Sequence, residues 1–250
     1  MNGVPAGAGD ADGLLLVAEM YGVQLDQLAA ALQVSPRRAA ALAARWTAGR
    51  QAEAARLGPG PRWVWLTRAG LATCGLPYAA APPALPRLAH LRAVTAVRLA
   101  LEAVPGYREA GAHWRSERRL RARLGGRLGM REHLPDAEVH WPDAAQPGTG
   151  GTPAWAGECW AIEAELTPKT VTRTTGIMAE LLTRTGDYGC PAAEVRVPGR
   201  PPRHARVIYL CSPAAAGTVR RARDALGTDG ARIEIRGLPA DGYLAAPGTG

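Results

Sequence analysis

The chain is 250 residues long, enough for one large domain or two modest ones, and 47% of its residues are hydrophobic, which excludes an intrinsically disordered polymer. Its formal charge of +8 and pI of about 9.9 favour an anionic partner such as nucleic acid. No secretory leader pattern follows Met1 and no apolar run approaches the ~20 residues that span a bilayer, so the expected setting is cytoplasmic, with no membrane partner.

The four cysteines, Cys74, Cys159, Cys190 and Cys211, are widely separated and form no Cys-x-x-Cys pair, so neither a zinc site nor a disulfide framework is expected. The histidines His90, His113, His133, His140 and His204 lack His-x-x-x-His spacing and read as surface or packing residues. Gly148-Thr149-Gly150-Gly151 lacks the strand-to-helix context of a phosphate cradle. Arginine supplies 29 of the 30 strong cations, the bias of a GC-rich genome, which leaves Lys169 as the single lysine.

In chain order, residues 1–12 read as a loose arm and residues 13–21 as a helix. Leu25, Leu28, Ala29 and Leu32 lie on one face of a second helix. Ser35-Pro36 is an N-cap followed by a proline at the first helical position, so a third helix is predicted from there to about Ala48. Strands are expected near residues 51–57 and 62–66 around the Gly58-Pro59-Gly60-Pro61 turn, then a short helix opening at Thr67. A long helix is predicted over residues 85–104 and another over 117–128. The rest alternates: strands at 137–141 and 159–166, a helix at 167–184, a strand at 206–210, a helix at 213–226 and a strand at 232–236.

Three helices, a β-ribbon and a closing helix form the order of a winged helix-turn-helix, whose third helix enters the major groove. That helix would present Arg37, Arg38 and Arg45 to double-stranded DNA, with Arg56 and Arg62 on the wing. The run Arg118, Arg119, Arg121, Arg123 reads as a solvated helix face that can extend a DNA track. A winged helix can instead serve as a protein-interaction module.

On the strand Cys159-Trp160-Ala161-Ile162-Glu163-Ala164-Glu165-Leu166, alternation sends Trp160, Ile162, Ala164 and Leu166 to a core and Glu163 and Glu165 to the other face. Two like charges side by side repel and need a compensating cation, for which Mg²⁺ is a natural choice. Asp136 in Leu134-Pro135-Asp136 offers a third carboxylate and Glu117 a fourth. With Thr167 as cap and Pro168 behind it, Lys169 falls in a helical first turn, leaning towards the acids. The alternative is a solvated sheet face with no chemistry.

The Pro-Asp and Glu-x-Glu pattern resembles the PD-(D/E)xK nuclease core, with Glu165 standing where that core has lysine. The resemblance implies a mixed α/β fold in which Asp136 and Glu163 hold Mg²⁺. Glu165 or Lys169 would orient or deprotonate water, and Glu117 would assist the metal. The stretches 64–70, 114–120 and 162–169 also look like the actinobacterial replication-relaxation family. That resemblance implies a role in plasmid or integrative-element replication or transfer.

The expected organisation is a winged helix over 13–78, a linker and connecting helix over 79–104, and a PD-(D/E)xK-like α/β domain over 105–240. Three readings follow: a mobile-element DNA-binding protein with a nuclease-like second domain, an active Mg²⁺-dependent endonuclease or nickase, and a transcription regulator whose second domain dimerises or senses a ligand. A homodimer is a further option.

Overall fold

The computed structural model describes residues 8–104, 106–123, 133–142, 155–186, 188 and 201–238. The chain is mixed α/β and divides between Leu99 and Ala100 into two compact units, each with its own sheet. No helix among the described residues is long and apolar enough to cross a membrane.

In the first unit, helix α1 (Ala8–Glu19) starts earlier than expected, so residues 8–12 are helical and only residues 1–7 of the predicted arm lie outside the described residues. Asp10 in its first turn complements the helix dipole and pairs with Arg45. Strand β1 (Val23–Gln24) leads into α2 (Leu25–Leu32), and α3 (Pro36–Ala48) follows. The Ser35 side chain accepts from Arg38 N at 3.2 Å, as the cap motif predicts. Ala39, Leu42, Ala43 and Trp46 form the buried stripe of α3.

Strands β2 (Ala52–Ala55) and β3 (Trp63–Leu66) pair antiparallel, and β1 joins the other edge of β3 to give the order β1-β3-β2. Helix α4 (Arg68–Thr73) is capped by Thr67. The predicted long helix is a single turn of 3-10 helix at Leu85–Arg87 followed by α5 (Leu88–Glu102). Leu91 of α5 packs on Trp63 and Trp65, and Arg92 pairs with Asp26 at 2.7 Å.

Gly70 is a close-approach position: a Cβ there would lie 2.0 Å from the Gln51 carbonyl oxygen. Backbone cannot yield as a flexible side chain can, so Gly70→Ala is expected to cost about 1–3 kcal/mol. Urea unfolding measures this, and an unchanged midpoint would contradict the close approach of α4 to the Gln51 backbone.

The second unit is a five-stranded sheet in the order β4-β5-β6-β7-β8, built from β4 (His113–Ser116), β5 (Ala137–His140), β6 (Cys159–Glu165), β7 (Arg206–Cys211) and β8 (Ile233–Gly237). The β4-β5 and β5-β6 pairs are antiparallel, whereas β6-β7 and β7-β8 are parallel. Parallel neighbours need crossovers, supplied by α7 (Val171–Thr183) and α8 (Pro213–Asp224). Both helices cover one sheet face: Met178 and Leu181 from α7 and Ala215, Val219 and Ala222 from α8 pack with Ala161, Val207 and Tyr209.

Helix α6 (Glu117–Arg123) carries the arginine run, and Arg118 is buried rather than solvated. Residues 124–128 of the predicted helix, the Gly148 to Gly151 loop and Cys190 lie outside the described residues. Helix α7 starts later than predicted because Thr170, not Thr167, is its cap: the Thr170 side chain accepts from Arg173 N at 3.2 Å. Lys169 therefore sits in the loop before α7, not in a helical first turn.

Candidate functional site

The face of the second sheet under α7 and α8 is apolar at β7 and β8 and polar at β4, β5 and β6. Residues directly opposite one another on neighbouring strands share a face. Glu138 pairs with Ala161, so Asp136, Glu138 and His140 share a side with Cys159, Ala161, Glu163 and Glu165. Both faces of β6 are buried: Trp160 on the opposite side packs against Trp141, with ring centroids 4.9 Å apart. The reading of Glu163 and Glu165 as a solvated face is thus overturned, for they are only 4% and 5% exposed.

The carboxyl end of β6 gathers Asp136, Glu163, Glu165 and Lys169. Asp136 immediately precedes β5, next to the Ala137–Ile162 pair, and its Oδ2 accepts from Ala164 N at 2.8 Å. Glu163 Oε1 is 2.7 Å from His133 Nε2, and Glu165 Oε2 accepts from Lys169 Nζ at 2.5 Å. Burial pushes the Glu163 carboxyl above its ordinary range, the Asp136 charge adds to this, and His133 opposes it. Burial would lower the His133 imidazole, but Glu163 reverses the sign and raises it.

Glu117 joins this group through its backbone, donating its N–H to the Asp136 carbonyl at 2.9 Å. Its carboxylate pairs with Arg121 one turn along α6. Tyr209 is register-paired with Glu163, and its hydroxyl is buried with no hydrogen-bond partner among the described residues. Burial first, then Glu163 and Glu165, push that phenol well above its usual value.

The sequence reads His133 as a surface or packing residue and does not single out Tyr209. His133 lies three residues before Asp136, a signal that adjacency alone could have given.

The amino end of β6 holds a second group. Glu138, His140 and Cys159 bring a carboxylate oxygen, an imidazole nitrogen and a sulfur within 4.8 Å of one another. Among the described residues this is the only group of three or more such donors at that spacing. Glu138 is fully buried and accepts from Arg203 Nε at 2.6 Å, Arg203 Nη2 at 2.8 Å and His204 Nε2 at 3.0 Å, with His140 Nε2 at 2.8 Å.

Burial alone would raise the Glu138 carboxyl. Hydrogen bonds from His140, His204 and Arg203, together with the Arg203 charge, hold it far below the carboxylate range. Burial and the Glu138 charge push the Cys159 thiol up. His140 and His204, expected as surface or packing residues, belong to a buried polar group, and the three-donor group contrasts with the expectation of no zinc site.

In the first unit, Arg37 and Arg38 are exposed in the first turn of α3, and neither has an ion-pair partner among the described residues. The other exposed positions of α3 include Ala40, Ala41, Ala44 and Ala48, so small side chains surround these arginines. Arg45 is engaged by Asp10. Arg56 and Arg62 are exposed at the β2–β3 turn, where Arg62 also donates to the Ala54 carbonyl at 2.9 Å. Arg50 and Arg68, not named from sequence, are exposed at the other end of this ribbon.

No family model matches the chain, and neither do any of the curated proteins or solved structures.

Proposed function

We propose that the chain is a double-stranded DNA-binding protein of a mobile element, acting in replication or transfer, with a winged helix as its first unit and a nuclease-like second unit. The observation that carries this reading is α3. Its first turn presents Arg37 and Arg38 without acidic partners, on a face otherwise small enough to approach base edges closely. The β2–β3 turn with Arg56 and Arg62 takes the place of the wing, and the net charge of +8 agrees in sign.

Gel shifts of the full chain on duplex DNA across a salt series test the proposal. The affinity is expected to fall linearly on a log–log plot, with a slope near −0.9 per phosphate contacted. A flat salt response would reject it.

A second reading, a Mg²⁺-dependent endonuclease or nickase, is favoured by the convergence of Asp136, Glu163, Glu165 and Lys169. The donor chemistry fits: Mg²⁺ is commonly held by one or two carboxylates plus substrate phosphate rather than by a full protein cage. Asp136 and Glu163 would hold the ion, which would supply Lewis-acid polarisation of phosphate and a more acidic water. Asp136 is fixed in place by Ala164 N, and the Lys169 ammonium orients the Glu165 carboxylate by a direct hydrogen bond.

Incubating supercoiled DNA with the protein and Mg²⁺ is expected to give nicked or linear product. Glu163→Gln should reduce this at least ~100-fold, the scale seen when a catalytic electrostatic contact is removed. Cleavage persisting undiminished in Glu163→Gln would move the activity away from this pocket.

A further inference from the structure

We propose that Glu138, His140 and Cys159 form a zinc site, separate from the acidic pocket, with the fourth coordination position open to water. Cys159 and Glu163 lie four residues apart on one strand, which places the two sites about 13 Å from each other at ~3.3 Å per residue. Their donor sets also differ. The acidic pocket offers hard oxygens, whereas one thiol, one imidazole and one carboxylate make a mixed set suited to Zn²⁺.

The spacing fits that ion. Tetrahedral zinc with bonds of ~2.3 Å to sulfur and ~2.0 Å to nitrogen separates those two atoms by about 3.5 Å. Here Cys159 Sγ and His140 Nε2 are 3.6 Å apart. The same geometry separates oxygen from nitrogen by about 3.3 Å. The Glu138–His140 contact of 2.8 Å is a hydrogen bond, so the ion would replace its proton and open the pair by about half an ångström.

The surroundings of Glu138 support a ligand role. Arg203 grips both carboxylate oxygens and His204 holds Oε1, so the carboxylate stays anchored when an ion displaces the His140 contact to Oε2. Carboxylates that bind metals are commonly held this way by their own hydrogen-bond partners. The pairing of β5 with β6 sets His140 directly opposite Cys159, so the backbone register brings these two donors together. His113 stacks on His140 with ring centroids 5.1 Å apart and planes 14° from parallel, so its nitrogens do not converge on the same ion.

The test uses the full chain, stripped with chelator and titrated with Co²⁺ and then with Zn²⁺ in competition. One equivalent of Co²⁺ is expected to bind and give thiolate-to-cobalt charge-transfer absorption in the near ultraviolet. Cys159→Ser should abolish that absorption and weaken Zn²⁺ binding at least ~100-fold, since loss of even an outlying partner of a ligand costs 10–100-fold. Cys74→Ser, in the first unit, should leave both unchanged.

His140→Ala should weaken Zn²⁺ binding as strongly. It stands as the second variant if the circular dichroism of stripped Cys159→Ser departs from that of the stripped wild type. No charge-transfer band in the wild type, or a band that survives Cys159→Ser and His140→Ala, overturns the site.

Discussion

Glu138→Ala is expected to lower the unfolding free energy of the metal-stripped protein by about 3–5 kcal/mol, the range for removing one partner of a buried ion pair. The magnitude follows from what is left behind. Arg203, only 12% exposed, loses both bonds to its carboxylate, and the fully buried His204 loses the carboxylate at its Nε2. Glu138→Gln keeps the volume yet removes the charge, so it should recover only a minor part of the loss.

The sign of the pH dependence follows from the depressed carboxyl. Its stabilising contribution is complete above the unfolded value near 4.5 and drains away as the pH falls below that value towards the much lower folded one. The gap between wild type and Glu138→Gln should therefore narrow on acidification. Urea midpoints across a pH series measure it; a difference under ~1 kcal/mol at neutral pH would be the cost of an ordinary exposed pair and would contradict this network.

The second large effect is expected on DNA. Arg37→Ala and Arg38→Ala should each weaken duplex binding roughly ten- to a hundredfold, the range for losing a good arginine contact to a base. If one of them grips phosphate instead, its removal should weaken all sequences alike and flatten the salt slope by about 1. Arg45→Ala should do less, because Asp10 already engages that guanidinium. The experiment is a gel-shift series at fixed salt with each variant, and full binding by the Arg37→Ala, Arg38→Ala double variant would remove α3 as the reading helix.

Much of the first unit was legible because its signals are local. Leu25, Leu28, Ala29 and Leu32 mark α2 by spacing, and Ser35-Pro36 marks the start of α3. The two-residue β1 and the strand His113-Trp114-Arg115-Ser116 were missed because neither shows apolar alternation; partners on neighbouring strands define them. Thr167-Pro168 imitates a helix start, yet the capping bond forms at Thr170, a choice among nearby threonines that tertiary packing makes.

The acidic pocket was partly legible, since alternation on β6 does place Glu163 and Glu165 together. The Glu138, His140 and Cys159 group was not. Helical spacing rules look for partners three or four residues apart, whereas here one ligand pair is two apart on a strand and the third arrives across the sheet.

The change from antiparallel to parallel pairing at β6 has a kinetic consequence. Trp160 must wait for Arg206, and Val207 for Ile233, before the sheet can close, whereas the first unit's sheet has all its strands once the chain has passed Leu66. During synthesis the arginine-bearing unit is therefore complete while the central strand of the second still lacks its partner. A nascent chain halted before β7 would carry a folded amino-terminal half and an unprotected strand edge, the state in which this protein is most exposed to misassociation.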